Sequence, residues 1–107
     1  MNATDVVTAL AALAQSHRLA AFRRLVQAGP AGLTVGALRE ALDVPAATLS
    51  AHLNTLRRAG LVADTREGRA IRVRADFTRM ALLLAYLTEN CCGGEPCAPA
   101  DRAAPCR

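Results

Sequence analysis

A chain of 107 residues is enough for one compact domain and too short for two. Apolar residues make up 52% and aromatics only 3%, so the core must be built from Ala, Leu and Val, which suggests close-packed helices rather than a β-sandwich. The formal net charge is +4 and all 13 basic residues are arginine, whose forked guanidinium suits partners that carry phosphate.

The apolar run from Val6 to Ala14 has the look of a signal-peptide core, but Asp5 precedes it and no Lys or Arg does, so the positive leader is missing. The run from Met80 to Leu87 is too short to span a bilayer. These features predict a cytoplasmic protein with no membrane association. In that compartment clustered cysteines point to metal or redox chemistry rather than structural disulfides.

Thr4 can cap a first helix, with Asp5 in its first turn. Val6, Val7, Leu10, Leu13 and Ala14 follow at helical spacing. Ser16 can cap a second helix, roughly His17 to Ala28, with Leu19, Phe22, Leu25 and Val26 on one side; Gly29-Pro30 ends it. Thr34 caps a short third helix, roughly Val35 to Leu42, with Leu38 and Leu42 inward, and Asp43-Val44-Pro45 makes a tight turn. A fourth helix runs from about Ala46 to Ala59. Leu49, Leu53 and Leu56 form its buried stripe, while Ala47, Ser50, Ala51, Asn54 and Arg58 fall on the opposite side. Two short helices joined by so tight a turn, the second with a small and polar outer face, describe a helix-turn-helix.

Gly60 ends the fourth helix. Leu61 to Arg66 and Arg69 to Ala75 read as two strands around Glu67-Gly68, with Ala70, Arg72 and Arg74 on one face and Ile71 and Val73 on the other. This is a β-hairpin with an arginine-rich tip, the wing of a winged helix. Asp76 caps a last helix, Phe77 to about Asn90, whose middle is apolar nearly all round. Such a helix must bury more than one face, and a second subunit is the natural cover. From Cys91 onward the composition turns to Gly, Pro, Ala and Cys without periodicity. The expected division is a winged-helix DNA-binding and dimerisation domain over residues 1–90 and a flexible Cys-rich tail over residues 91–107. The expected fold is mainly α with a small β-hairpin: a dimeric winged helix-turn-helix of about five helices plus wing.

Catalytic signatures are missing: there is no Gly-rich dinucleotide loop, P-loop lysine, Gly-x-Ser-x-Gly or HExxH. The histidines His17 and His52 have no partner at catalytic spacing. A non-enzyme is expected. On the fourth helix, Ser50 and Asn54 carry groups suited to base edges, and Thr48 serves a phosphate or the helix start. Arg58, Arg69, Arg72 and Arg74 are candidate phosphate clamps. His52, at the edge of the buried stripe, is either a DNA contact or a packed core histidine.

The order of elements resembles the ArsR/SmtB family of arsenic- and metal-responsive repressors. His17-Arg18-Leu19-Ala20 is similar to the family's "R-L-x-I-L" opening of the second helix. The stretch from Thr48 to Val62 is similar to its "T-V-S-x-H-L-x-x-L-x-x-A-G-L-V" signature, and Gly68-Arg69 to its wing tip. The likeness covers roughly residues 5 to 90. It implies a homodimeric repressor that binds double-stranded operator DNA without a cofactor and leaves it when a metal or metalloid binds. Thr34-Val35-Gly36 stands where many arsenic sensors have "C-V-C", and the last helix has Asp76 but none of the histidines of zinc sensors. Some arsenic-responsive members instead carry a vicinal Cys pair and a third Cys after the last helix, as Cys91, Cys92 and Cys97 do here.

Soft thiolates select soft ions, and trivalent arsenic or antimony takes three sulfurs in a pyramid. Cys91 and Cys92 can converge if the helix ends before them and Gly93-Gly94 turns the chain. Pro96 then stiffens the return of Cys97, at low closure cost. This makes arsenite or antimonite the first-choice inducer. Three other readings stay open: a four-sulfur zinc, cadmium or lead site that adds Cys106, a thiol redox switch, and incidental cysteines. In the expected mechanism the first and last helices pair across a dimer. The recognition helices then lie roughly 34 Å apart, and inducer binding breaks that match to successive grooves.

Overall fold

The structure, a computed structural model, describes residues 1–94. Helix α1 spans Ala3–Leu13 and opens with a capping box. Asn2 Oδ1 accepts from the Asp5 N–H at 2.8 Å, and the Asn2 N–H donates back to the Asp5 carboxylate at 3.3 Å. The cap is therefore Asn2 rather than Thr4, because Asp5 three residues on can reciprocate with Asn2. Helix α2 spans Ser16–Ala28, and Gln15 takes the capping role expected of Ser16: its Oε1 accepts from the Arg18 N–H at 2.9 Å. Arg18 also reaches back, its Nε donating at 2.7 Å to the Ala12 carbonyl near the end of α1.

Gly29, at φ 80, leaves α2 and starts a 3-10 turn, Gly29–Ala31. A short strand β1, Leu33–Thr34, follows and then helix α3, Val35–Leu42, capped by Thr34 Oγ1 on the Ala37 N–H at 3.1 Å. Asp43, left-handed at φ 53, turns the chain into helix α4, Ala46–Arg58. Strands β2, Val62–Glu67, and β3, Ala70–Ala75, form the wing, and helix α5, Phe77–Leu87, starts at Asp76, whose Oδ1 accepts from the Arg79 N–H at 2.9 Å.

The expected hairpin is one part of a three-stranded antiparallel sheet in the order β1-β3-β2. β2 and β3 pair from Val62 opposite Ala75 to Glu67 opposite Ala70, and β1 adds Leu33 opposite Val73 and Thr34 opposite Arg72. Gly32 lets β1 come this close. A Cβ at Gly32 would sit 2.1 Å from the Val73 carbonyl oxygen, and its φ is +66.

The core is aliphatic. Leu25, Leu38, Leu49, Leu53, Leu56, Leu61 and Val73 are fully buried, with Ala9, Ala12, Ala21, Ala59 and Ala75 filling the close approaches between elements. The leucine stripe read from the fourth helix is thus the inner face of α4. The first helix differs from expectation: Val6, Ala9 and Ala12 face the core, while Val7 (65% exposed) and Leu10 (41% exposed) face out. Val6 and two small alanines do most of the internal packing of α1, and Val7 and Leu10 are left for another surface. On α5 Leu83 is buried, whereas Leu82, Leu84, Tyr86 and Leu87 are exposed. An apolar groove between α2 and α5 is lined by Leu19, Phe22, Val26, Met80 and Leu84. No helix among the described residues is long and apolar enough to cross a membrane.

Candidate nucleic-acid interface and thiol site

The outer face of α4 follows from its periodicity. With Leu49, Leu53 and Leu56 inward, Ala47, Thr48, Ser50, Ala51, Asn54 and Arg58 are exposed. Pro45 precedes the helix and provides no side-chain cap, so the first-turn N–H groups near Thr48 carry the positive end of the dipole outward. Arg58 lies along the helix, its Nη2 donating to Thr55 Oγ1 at 3.4 Å.

Asn54 is not alone on this face. Its Oδ1 accepts from Arg57 Nη1 at 2.8 Å. The same guanidinium grips Asp64 on β2, with Nε 2.9 Å from one carboxylate oxygen and 3.2 Å from the other. The helix and the wing are thereby braced through one charged side chain. Neither Arg57 nor Asp64 was singled out from sequence. The spacing of Asn54 and Arg57, three apart on a helix, was a usable signal. The place of Asp64 needed the fold of β2 back along α4.

His52 is half-buried and its ring stacks on His17 of α2, with centroids 5.7 Å apart and planes 18° apart. His17 Nδ1 lies 3.3 Å from Gln15 Nε2. Burial first, then the charge of Arg18 and of His17, holds the His52 imidazole below its ordinary value of 6.5. This ring joins α4 to α2, in keeping with the packed-histidine alternative.

The wing arginines divide into two groups. Arg72 turns inward along the sheet: Nε donates to Glu67 Oε1 at 3.2 Å, and Nη1 to the Ala31 and Gly32 carbonyls, each at 3.4 Å. Arg74 Nη1 donates to Thr65 Oγ1 on the neighbouring strand. Arg69 in the turn after Gly68 is exposed, with no ion pair or side-chain hydrogen bond among the described residues. The same holds for Arg66 on β2, which sequence reading passed over because strand alternation was counted on β3 alone.

At the other end, α5 stops at Leu87, shorter than its apolar pattern suggested. The Thr88 N–H donates to the Leu84 carbonyl and the Cys91 N–H to the Thr88 carbonyl, each at 3.0 Å. Asn90 (φ 55), Cys92 (φ 57), Gly93 (φ 65) and Gly94 (φ 92) are all left-handed. Cys91 and Cys92 are exposed at this turn. The left-handed step at Cys92 takes the two adjacent thiols out of the 100° spacing that would separate them on a helix. As a donor set, two neighbouring soft sulfurs fit a soft thiophilic ion. Among the described residues no group of three or more His, Cys, Asp or Glu is gathered for a metal. Cys97 and Cys106, the expected third ligand and possible fourth, lie outside the described residues.

A helix-turn-helix whose second helix is exposed along one face, followed by a two-stranded wing, defines a winged-helix DNA-binding protein. A family model described as a helix-turn-helix domain matches residues 13–65. No curated protein sequence matches the chain. Solved structures do. HlyU from Vibrio cholerae is 31% identical with a TM-score of 0.62, over 80% of this chain and 94% of that one. An ArsR-like transcriptional regulator from Rhodococcus sp. RHA1 is 28% identical with a TM-score of 0.69, over 78% of this chain and 76% of that one. The homodimeric winged helix-turn-helix DNA-binding domain of a possible ArsR-family regulator from Mycobacterium bovis is 26% identical with a TM-score of 0.64, over 89% of this chain and 88% of that one. The chain belongs to the ArsR/SmtB family of DNA-binding transcriptional regulators.

Proposed function

We propose that this protein is an arsenite-responsive repressor. It binds operator DNA as a homodimer and leaves it when trivalent arsenic or antimony is held by Cys91, Cys92 and Cys97. The observation that carries the reading is the pair of adjacent exposed cysteines in a left-handed turn directly after α5. No other cysteines precede them in the chain, so thiol input enters at this end of the molecule.

Exposed Val7 and Leu10 on α1 and exposed leucines on α5 supply the surface for a second copy, and the Mycobacterium bovis relative is homodimeric. A two-fold pairing through α1 and α5 presents two α4 helices to successive grooves, roughly 34 Å apart. Bound trivalent arsenic supplies three arsenic–sulfur bonds, which fix the three cysteines relative to one another. Cys91 and Cys92 then tie the end of α5 to the segment beyond it, beside the dimer surface. Inside the protomer Arg79 of α5 lies close to Gly60, two residues past the end of α4, where a Cβ would sit 3.0 Å from its Nε. A shift of α5 would therefore bear on the turn that follows the recognition helix as well as on the spacing between subunits. Such coupling is reciprocal, so DNA must lower the affinity for arsenite by the factor by which arsenite lowers the affinity for DNA.

A thiol redox switch is the second reading, favoured by the same exposed cysteines and by the likeness to a structure of reduced HlyU from Vibrio cholerae, 29% identical. A four-sulfur zinc, cadmium or lead site with Cys106 is the third. A mobility-shift titration separates them. Duplex bound by the full chain is challenged in turn with arsenite, zinc and peroxide. Arsenite alone should release the DNA; Cys97→Ser should abolish that release and Cys106→Ser should leave it intact. Release by peroxide alone, or loss of response in Cys106→Ser with retention in Cys97→Ser, overturns the arsenite site.

A further inference from the structure

The chain of contacts Asn54, Arg57, Asp64 has a consequence for which base pairs this protein reads. The geometry points to Arg57, held by Asp64, as a positioning residue that occupies the Asn54 carbonyl and leaves the Asn54 N–H groups to read a base edge that offers acceptors and no donor, guanine or thymine, in place of adenine. The inference rests on DNA binding through the outer face of α4.

A guanidinium has donors and no acceptor. The Asn54 atom 2.8 Å from Arg57 Nη1 is therefore the carbonyl oxygen, and the amide orientation follows without ambiguity. Asparagine reads adenine with both ends of the amide, donating to N7 and accepting from the N6 amine. Here the acceptor end already has a charged donor, and charge-assisted hydrogen bonds are roughly twice as strong as neutral ones. A neutral adenine amine must displace or share with that guanidinium. Guanine N7 and O6, or thymine O4, ask only for the N–H donors that Asn54 still presents to solvent.

The brace is well founded on the wing side. Arg57 Nε meets both oxygens of Asp64, at 2.9 and 3.2 Å, and the two side chains are 28% and 35% exposed. Asp64 pairs with Val73 across the sheet, and Val73 is fully buried, so the carboxylate stands on a rigid strand. Its charge is also neutralised there. An unpaired carboxylate beside α4 would repel the phosphate backbone, so the same contact removes a penalty and sets a preference. Rotation of Arg57 away from Asn54 breaks its alignment with Asp64, which couples the amide orientation to the wing rather than to the helix alone.

The test is selection from a randomised duplex pool by the full chain and by Asn54→Ala, Asp64→Asn and Arg57→Met variants, each verified folded by circular dichroism. Asn54→Ala should lose its preference at one base pair per half-site, which identifies the pair read by Asn54. The parent chain should select guanine or thymine there. Asp64→Asn should move that position, and no other, toward adenine by on the order of tenfold; Arg57→Met, which keeps the bulk and removes every donor, should do the same and stands in should Asp64→Asn not fold. A uniform loss of affinity over all sequences, with the base preference kept, overturns the inference in favour of a purely structural brace. Selection of adenine by the parent at the Asn54-dependent pair, or no such pair, overturns it too. Enrichment of no sequence by the parent chain overturns the DNA-binding reading beneath it, a result visible before any variant is compared.

Discussion

Two single residues carry more of this structure than their size suggests. Gly32 is one, since any side chain there meets the Val73 carbonyl at 2.1 Å in a backbone conformation that L residues avoid. The neighbour is strand backbone, which cannot swing aside. Gly32→Ala should therefore cost more than about 2 kcal/mol and lower Tm by roughly 10 °C or more, read by thermal unfolding. Gly29→Ala, at positive φ but with nothing within 4 Å, should cost less. His52 is the other. Its folded form holds the proton less tightly than the unfolded chain, through burial, Arg18 and His17. Between its lowered value and the ordinary 6.5 the unfolded chain binds more protons, so stability is full above about 6.5 and falls as pH drops through that window. Tm measured from about pH 7 to about pH 5 should decline, and His52→Gln should flatten the part of the decline that His52 owns.

At the scale of elements, what is local in the chain was legible in advance. Thr34 and Leu42 bound α3 as read, and the leucine stripe of α4 is its buried side, because a cap and a 3.6-residue period are written within one helix. The wing was legible from alternation around Gly68. β1 was not, since a strand of two residues has no period and exists through its pairing with β3 some forty residues away. The brace between Arg57 and Asp64 was hidden for the same reason. Capping side chains were misplaced by one or two residues where two candidates stood close together, as with Asn2 and Thr4. The wing arginines bear on DNA affinity at this scale. Arg72 already holds Glu67 and two carbonyls, whereas Arg69 projects from the turn with no such partner among the described residues. Arg69→Ala should flatten the slope of log affinity against log salt by about 1, whereas Arg72→Ala should act mainly on Tm. An equal or larger slope change for Arg72 would place that side chain on the phosphates when DNA is bound.

At the scale of the whole molecule, the core of one protomer leaves Val7, Leu10, Leu84 and Leu87 uncovered, each more than 40% exposed. On α1, Val6 and two alanines, Ala9 and Ala12, pack inward while Val7 and Leu10 are kept outward. In the proposed homodimer these side chains meet across a two-fold axis, so each substitution counts twice. Leu84→Glu should weaken dimerisation by about a hundredfold or more, seen by sedimentation, and operator affinity should fall with it. The same uncovered leucines make the regulator its own dosage gauge. Stability gained by pairing grows with protomer concentration. Scarce chains therefore spend more time open to proteases than abundant ones, and their turnover is faster. Occupancy of a two-site operator follows the square of the protomer level while dimers are few, so regulation by such a dimer sets in over a narrow range of copy number. In the proposed repressor, the apolar side chains left uncovered on α1 and α5 would in this way set how sharply a gene is held silent, before the proposed inducer reaches the thiols.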